Sequence, residues 1–166
     1  IFGPILIRSF SSIFKGLKSP GSIKIYFINL FKYNIYIIMK IKSSQTLVQD
    51  ALTQVKTISP SEALELSNKN ECNLIDIRDA IELQNLGRIE NSFHISRGLL
   101  EFSIHPDSAF VQNNNLDLNK ELVLFCAAGG RSALAAKTLN EMGFKKVSHV
   151  EGGFGSMSNS GFKVVK

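Results

Sequence analysis

The stretch LVLFCAAGGRSALAAKTLNEMG, residues 122–143, decides the fold of this chain. Its first five residues, Leu122 to Cys126, form an uncharged apolar run of strand length, which predicts a strand buried on both faces. From Arg131 to Met142, Ala133, Leu134, Ala136 and Leu139 fall on an apolar stripe with helical spacing, and Gly143 supplies the stop. Between strand and helix lie only Ala127, Ala128, Gly129 and Gly130. Buried strand, short small-residue loop and helix together predict an α/β layer architecture with a mainly parallel central sheet flanked by helices.

Working outward, the same alternation continues. Ser59-Pro60-Ser61-Glu62 is a capping box with proline at the first helical position, predicting a helix that ends near Asn68–Asn70. Cys72 to Ile77 is a compact strand-length run, and Asp79 to Leu86 has helical spacing (Ala80, Leu83, Leu86) stopped by Gly87. Ser92 to Ile95 is a further short strand. Residues 98–118 predict a helical turn around Leu99, Leu100 and Phe102, then an irregular excursion marked by Pro106 and Asn113–Asn115. Val147 to Val150 is a last strand, leading into Glu151-Gly-Gly-Phe-Gly155. No internal repeat is present.

Charge divides the chain. The net charge of +5 over 166 residues suggests a nucleic-acid partner until it is located. No Asp or Glu precedes Asp50, whereas Arg8, Lys15, Lys18, Lys24, Lys32, Lys40 and Lys42 all fall before it. The remaining 12 basic and 14 acidic residues leave residues 43–166 at net −2, so no nucleic-acid partner is expected. The expected organisation is a basic, acid-free extension over 1–42, a linker or N-terminal helix over 43–56, and the functional domain over 57–166. The apolar runs of the extension are broken by Lys32 and fall short of the ~18–20 residues that span a bilayer. Its Ile-, Phe-, Lys-, Asn- and Tyr-rich composition and the first methionine at Met39 suggest that 1–38 is translated upstream sequence. The alternative is an organellar targeting segment. The domain itself is expected to be cytoplasmic, with no membrane association, because two cysteines are too few for a secreted disulfide scaffold of this size.

Cys126 is the centre of the chemistry. A strand brings its thiol to the C-terminal end of a parallel sheet, where such folds bind ligands. Gly129 and Gly130 permit a tight turn whose N–H groups converge into an anion cradle, and the following helix adds its positive N-terminal end. A thiolate there is stabilised and should titrate below a free cysteine. A buried inert cysteine ending a core strand is the ordinary alternative. The spacing of thiol, two small residues, glycine and an arginine five positions on argues against it.

Cys126-x-x-Gly129-x-Arg131-Ser132 resembles the active-site loop of the rhodanese family. Leu74-Ile-Asp76-Ile-Arg78 with Glu82 is similar to the family's first signature. Gly87-Arg-Ile89 through Asn91-Ser-Phe-His-Ile95 resembles the segment after it, and His149-Val-Glu-Gly152-Gly153-Phe154 the closing one. Arg97-Gly-Leu-Leu-Glu101-Phe102 with Pro106-Asp107 is similar to one group of single-domain rhodaneses. The likeness spans about residues 57–160, in family order. It implies the rhodanese-like three-layer fold and a sulfurtransferase in which Cys126 takes a sulfane sulfur from a donor such as thiosulfate. The sulfur then passes from the persulfide to cyanide, a thiol or a protein acceptor. Ala127, Ala128, Gly129, Gly130 and Arg131 would line the anion site, with Arg131 either facing the substrate or bracing the loop. Neither cofactor nor metal is expected, since His94 and His149 lack metal-ligand spacing. Two departures stand out: Ala127 occupies a position where many members carry arginine, which leaves the donor open, and Arg88 replaces a frequent histidine.

The other polar residues admit plainer roles. Asp76, Arg78 and Glu82 are read as a strand-end ion-pair network in preference to an acid–base set. Arg97 follows a strand end and is a candidate for the pocket. Cys72 opens a strand and is expected to be buried and inert; were it exposed near Cys126, it could resolve a persulfide. Two other functions compete. Cysteine phosphatases and arsenate reductases also use a Cys…Arg loop, but with five intervening residues where this chain has four. A non-turnover module that delivers or senses persulfide would keep the same loop.

Overall fold

The computed structural model describes residues 41–166, and the expectations for residues 1–40 lie outside the described residues. Ser43–Lys166 forms one compact unit. Helix α1 (Ser44–Leu52) is capped by Ser43, whose Oγ accepts from the Thr46 N–H, and it packs against the long helix that follows the cysteine loop. Strand β1 (Lys56–Ile58) comes next, then α2 (Pro60–Asn68), where Ser59 Oγ accepts from the Glu62 N–H and Pro60 stands at the helix start. β2 (Cys72–Asp76) leads to α3 (Ala80–Leu86), closed at Gly87. Two-residue strands β3 (Arg88–Ile89) and β4 (Phe93–His94) precede a 3-10 turn (Arg97–Leu99) and α4 (Leu100–Ser103). α5 (Ala109–Asn113), β5 (Glu121–Phe125), α6 (Gly130–Glu141), β6 (Val147–Val150), α7 (Gly153–Met157) and β7 (Val164–Val165) complete the order.

The main sheet runs β1-β6-β5-β2-β4, and every pairing in it is parallel. β3 and β7 form a small antiparallel pair. Side chains alternate across the sheet as the two-residue strand period requires. Leu122, Leu124 and Cys126 join Ile75, Ile77 and Val147 on one face, under Ala135, Ala136 and Leu139 of α6 and Leu100 and Ile104. Val123 and Phe125 join Cys72, Leu74 and Val150 on the other, under Ala63 of α2 and Phe154 and Met157 of α7. Both faces of β5 are covered, which is why its sequence is an unbroken apolar run.

The expected three-layer α/β fold is therefore present. Several segments, the β3–β7 pair among them, go beyond the expectations. The excursion after Pro106 contains α5, started by Ser108 Oγ accepting from the Val111 N–H. Leu116 and Leu118 after it return to the core, so this segment is a short packed connection. The glycine-rich run after Glu151 is helical from Gly153 on, and β1 forms at the sheet edge where the sequence shows only one apolar residue in three. No helix among the described residues is long and apolar enough to cross a membrane.

Candidate active site

Cys126 is the first residue after β5 and is 2% exposed, so its sulfur forms the floor of the loop above it. Two constraints shape that loop. The Cys126 carbonyl accepts from the Phe154 N–H at 2.7 Å, and the Ala127 carbonyl accepts from the Gly155 N–H at 3.2 Å. Both carbonyls are thus turned toward α7, and because a trans peptide points its N–H opposite its carbonyl, the following amides turn into the loop. Gly129 then takes φ +96°, a left-handed conformation that favours glycine, and its carbonyl starts α6 by accepting from the Ala133 N–H at 3.0 Å.

The consequence is convergence on sulfur. The Gly129 N–H lies 3.2 Å from Cys126 Sγ. Burial alone would push the Cys126 pKa up, but nearby donors, the N–H groups of Ser132, Ala128 and Gly129 and the Ser132 hydroxyl, favour the thiolate and bring its pKa below the ordinary value. The Ser132 N–H is one of the unpaired donors of the first turn of α6, so the positive end of that helix lies toward the sulfur. Ser132 was absent from the sequence-derived site, although its place directly after Arg131 in the loop motif was available as a signal.

Arg131 occupies the far side of the loop. Its Nη1 and Nη2 donate to the two carboxylate oxygens of Glu82 at 2.7 and 2.9 Å, and Nη1 is 3.8 Å from Asp79. Of the two roles expected for Arg131, this geometry matches the brace. The Arg131 guanidinium, helped by the Asp79 N–H, holds the Glu82 carboxyl at about 2. Arg97 lies at the strand ends, its N–H donating to the Ile77 carbonyl, but its guanidinium pairs with Glu101 at 2.7 Å.

Beneath the loop, Asp76 and Arg78 form the buried pair read from the sequence. Both side chains are fully buried; Arg78 Nε and Nη2 donate to the Asp76 carboxylate at 3.0 and 2.7 Å, and Nη2 also donates to the Gly87 carbonyl at 2.9 Å. The guanidinium lies 3.8 Å from the centre of the Phe154 ring. That contact fixes α7, whose first N–H groups orient the cysteine loop.

Gly153 is the closest approach. With φ +57°, a Cβ there would run into the Cys126 carbonyl and sit 3.0 Å from the Ala127 carbonyl carbon. Cys72 is elsewhere. It pairs with Glu121 while Asp76 pairs with Phe125, so the two thiols stand at opposite ends of the sheet, roughly 16 Å apart at ~3.3 Å per strand residue. Burial, then the charge of Glu121, pushes the Cys72 thiol up to about 11. The described residues contain no group of three or more His, Cys, Asp or Glu placed to hold a metal ion.

Comparison with known proteins bears on this site. Residues 59–160 match the family profile described as Rhodanese-like domain. The chain belongs to the rhodanese-like family. Among curated relatives, a thiosulfate sulfurtransferase (GlpE) of Pseudomonas savastanoi pv. phaseolicola is 34% identical over 103 residues, covering 62% of this chain and 87% of the relative. A tRNA uridine(34) hydroxylase of Chlamydia caviae is 30% identical over 141 residues, covering 81% of this chain and 42% of the relative. The chain thus spans about two fifths of the hydroxylase. Among solved structures, the polysulfide-sulfur transferase homodimer of Wolinella succinogenes is 36% identical with a TM-score of 0.57, covering 71% of this chain and 83% of that one. A protein of unknown function from Rhodopseudomonas palustris CGA009, described as a possible tyrosine phosphatase, is 36% identical with a TM-score of 0.67, covering 75% and 95%. The rhodanese-like domain and its distant likeness to thiosulfate sulfurtransferases agree with the resemblance carried by the sequence motifs.

Proposed function

We propose that this rhodanese-like domain is a sulfurtransferase that carries sulfur as a persulfide on Cys126. The observation behind this reading is the cradle itself: a thiol buried at a strand end, accepting from the Gly129 N–H at 3.2 Å beneath a helix start, where the surrounding donors lower its pKa against the effect of burial. In the first half-reaction the thiolate attacks the outer sulfur of the donor. With thiosulfate, the donor S–S bond breaks, sulfite leaves with its electron pair, and Cys126 keeps the sulfur as a persulfide anion. In the second, cyanide or a thiolate attacks that outer sulfur and the Cys126 thiolate is regenerated. The loop donors stabilise both anionic forms. No cofactor enters either step.

Arg131 in this reading braces the loop through Glu82 and contributes a distant positive charge. Ala127 leaves no side-chain cation at that point of the loop, which favours a donor bound chiefly by backbone N–H groups. The acceptor is a small thiol, cyanide or a protein thiol, and the functional unit is residues 57–166. The two thiols, too far apart to bridge, suit a reducing compartment such as the cytoplasm.

The test is to incubate the protein with thiosulfate, 3-mercaptopyruvate or polysulfide and weigh it. A gain of one sulfur atom, ~32 Da, on Cys126 and not in Cys126→Ser is the expected result. Failure to gain sulfur from any of the three donors would sink the reading. The description of the Rhodopseudomonas relative raises a phosphatase as the competing activity. The four-residue spacing between Cys126 and Arg131, one shorter than the phosphatase loop, and the engagement of Arg131 by Glu82 both argue against it. Phosphatase turnover without persulfide formation would reverse that ranking.

A further inference from the structure

The arginines around the loop are held by carboxylates. Arg131 gives both Nη groups to Glu82 and has Asp79 3.8 Å away, so two carboxylates face one guanidinium. Arg97, just beyond β4, gives Nη1 to Glu101 at 2.7 Å and so lies along its own helical turn. Arg78 is buried in its pair with Asp76. The loop itself presents only Ala127, half-buried, and Ala128, exposed.

On the β4 side the surface is apolar. The Ile77 N–H donates to the Phe125 carbonyl and the Arg97 N–H to the Ile77 carbonyl, so the ends of β5, β2 and β4 stand in one row. The turn after β4 therefore begins roughly 10 Å from the cysteine, at ~4.8 Å per strand. Leu100 of that turn is buried in the same cluster as Cys126, and α4 packs against α6. Its neighbours Leu99 and Phe102 are 60% and 79% exposed, and their three-residue spacing puts them on one face of the turn. Exposed apolar residues scattered singly are ordinary, whereas a pair on one face beside a reactive thiol is a recognition surface.

The N–H groups of the loop serve the sulfur, as the 3.2 Å bond from Gly129 to Sγ shows. A reactant with a second anionic group carries that charge outside the cradle, among arginines already paired. A reactant with an uncharged apolar body needs only the loop donors for its reacting sulfur and gains by covering Leu99 and Phe102. We propose that the acceptor of the Cys126 sulfur is a thiol with an uncharged, apolar body that seats on Leu99 and Phe102. Its thiolate attacks the outer sulfur of the persulfide anion, and the S–S bond to Cys126 breaks with its electron pair returning to Cys126. The acceptor leaves as a persulfide anion, and no proton changes hands. This rests on the sulfurtransferase reading and narrows it to a class of acceptor.

The test loads Cys126 from polysulfide, removes the excess, and follows loss of the added sulfur by mass. Phenylmethanethiol and mercaptosuccinate are compared at equal thiolate concentration. Phenylmethanethiol should discharge the protein at least about tenfold faster. Leu99→Ser/Phe102→Ser should cut that ratio about threefold or more by slowing phenylmethanethiol alone; comparison with wild type cancels the intrinsic reactivities of the two thiols. Glu101→Gln, which releases Arg97, should speed mercaptosuccinate about twofold. Mercaptosuccinate discharging as fast as phenylmethanethiol, or an unchanged ratio in the double variant, overturns the proposal. If the double variant fails to fold, Phe102→Ser decides alone, because Phe102 is the more exposed of the two. Alkylation of Cys126 by N-benzyliodoacetamide and by iodoacetate reads the same preference without any sulfur. A protein that takes up no sulfur but keeps the benzyl preference, lost in Leu99→Ser/Phe102→Ser, sinks the sulfurtransferase reading and leaves the apolar seat standing.

Discussion

At the residue scale, the chain treats its two cysteines in opposite ways with the same physics. Both are buried, which disfavours a thiolate, yet only Cys126 faces a set of donors strong enough to reverse that effect. Cys72, at the start of β2 and beside Glu121, has its thiol pushed up to about 11. Iodoacetamide at pH 8 should therefore modify Cys126 and leave Cys72 unreacted in the folded protein, with both labelled in denaturant; peptide mapping reads the result. Removal of the Ser132 hydroxyl in Ser132→Ala should slow Cys126 alkylation at neutral pH, by about tenfold if the lost bond is worth ~1.4 kcal/mol to the charged form. The turn from strand to helix at the cysteine was legible in the sequence because the types and spacing of Cys126, Gly129 and Gly130 carry that geometry. Ser132 was legible only as the last residue of the loop motif, because a serine in the first turn of a helix acquires meaning only from what lies opposite it.

At the scale of elements, the loop is shaped by the helices on either side of it. α7 begins at Gly153, where the left-handed backbone and the contact with the Cys126 carbonyl leave no room for a side chain. Gly153→Ala should destabilise the fold by about 2–3 kcal/mol through strain and displacement, and should raise the Cys126 thiol pKa because the loop amides lose their orientation. Urea denaturation and the alkylation profile test the two halves. α7 escaped the sequence reading because Gly152, Gly153 and Gly155 have poor helix propensity, and what holds the segment is the Arg78–Phe154 contact together with the N–H bonds to the cysteine loop. On the other side, Arg131 ties the start of α6 to the first turn of α3 through Glu82. The Glu82 carboxyl has a folded pKa of about 2 against an ordinary 4.5. A depressed carboxylate pKa contributes stability that is complete above about 4.5 and is lost as pH falls toward 2. Both side chains are partly exposed, so the contribution is about 1 kcal/mol after solvent screening. The stability difference between wild type and Glu82→Gln should accordingly be present at pH 6 and vanish near pH 2; urea midpoints across that range measure it.

Over the whole molecule, the buried strands β2 and β5 were legible in the sequence because burial on both faces leaves an uninterrupted apolar signature. β1 and the β3–β7 pair were not, since two or three residues at a sheet edge carry too little pattern to distinguish them from loop. The Asp76–Arg78 pair was legible as a network but not in its reach, which joins the sheet, the end of α3 and α7 around one guanidinium. A buried ion pair is costly to desolvate, and breaking it from one side leaves the remaining charge uncompensated. Arg78→Met should thus destabilise the protein by about 3–5 kcal/mol, a large share of the ~5–15 kcal/mol typical of a domain. The double variant Asp76→Leu/Arg78→Met should recover at least ~1 kcal/mol of that loss, because no charge is left stranded. It should not recover the reactivity of Cys126, because the placement of α7 under the loop depends on the guanidinium over Phe154. Equilibrium urea unfolding gives the first comparison and the alkylation rate the second. A double variant no more stable than Arg78→Met would mean that the Gly87 and Phe154 contacts, not the Asp76 charge, dominate what Arg78 contributes.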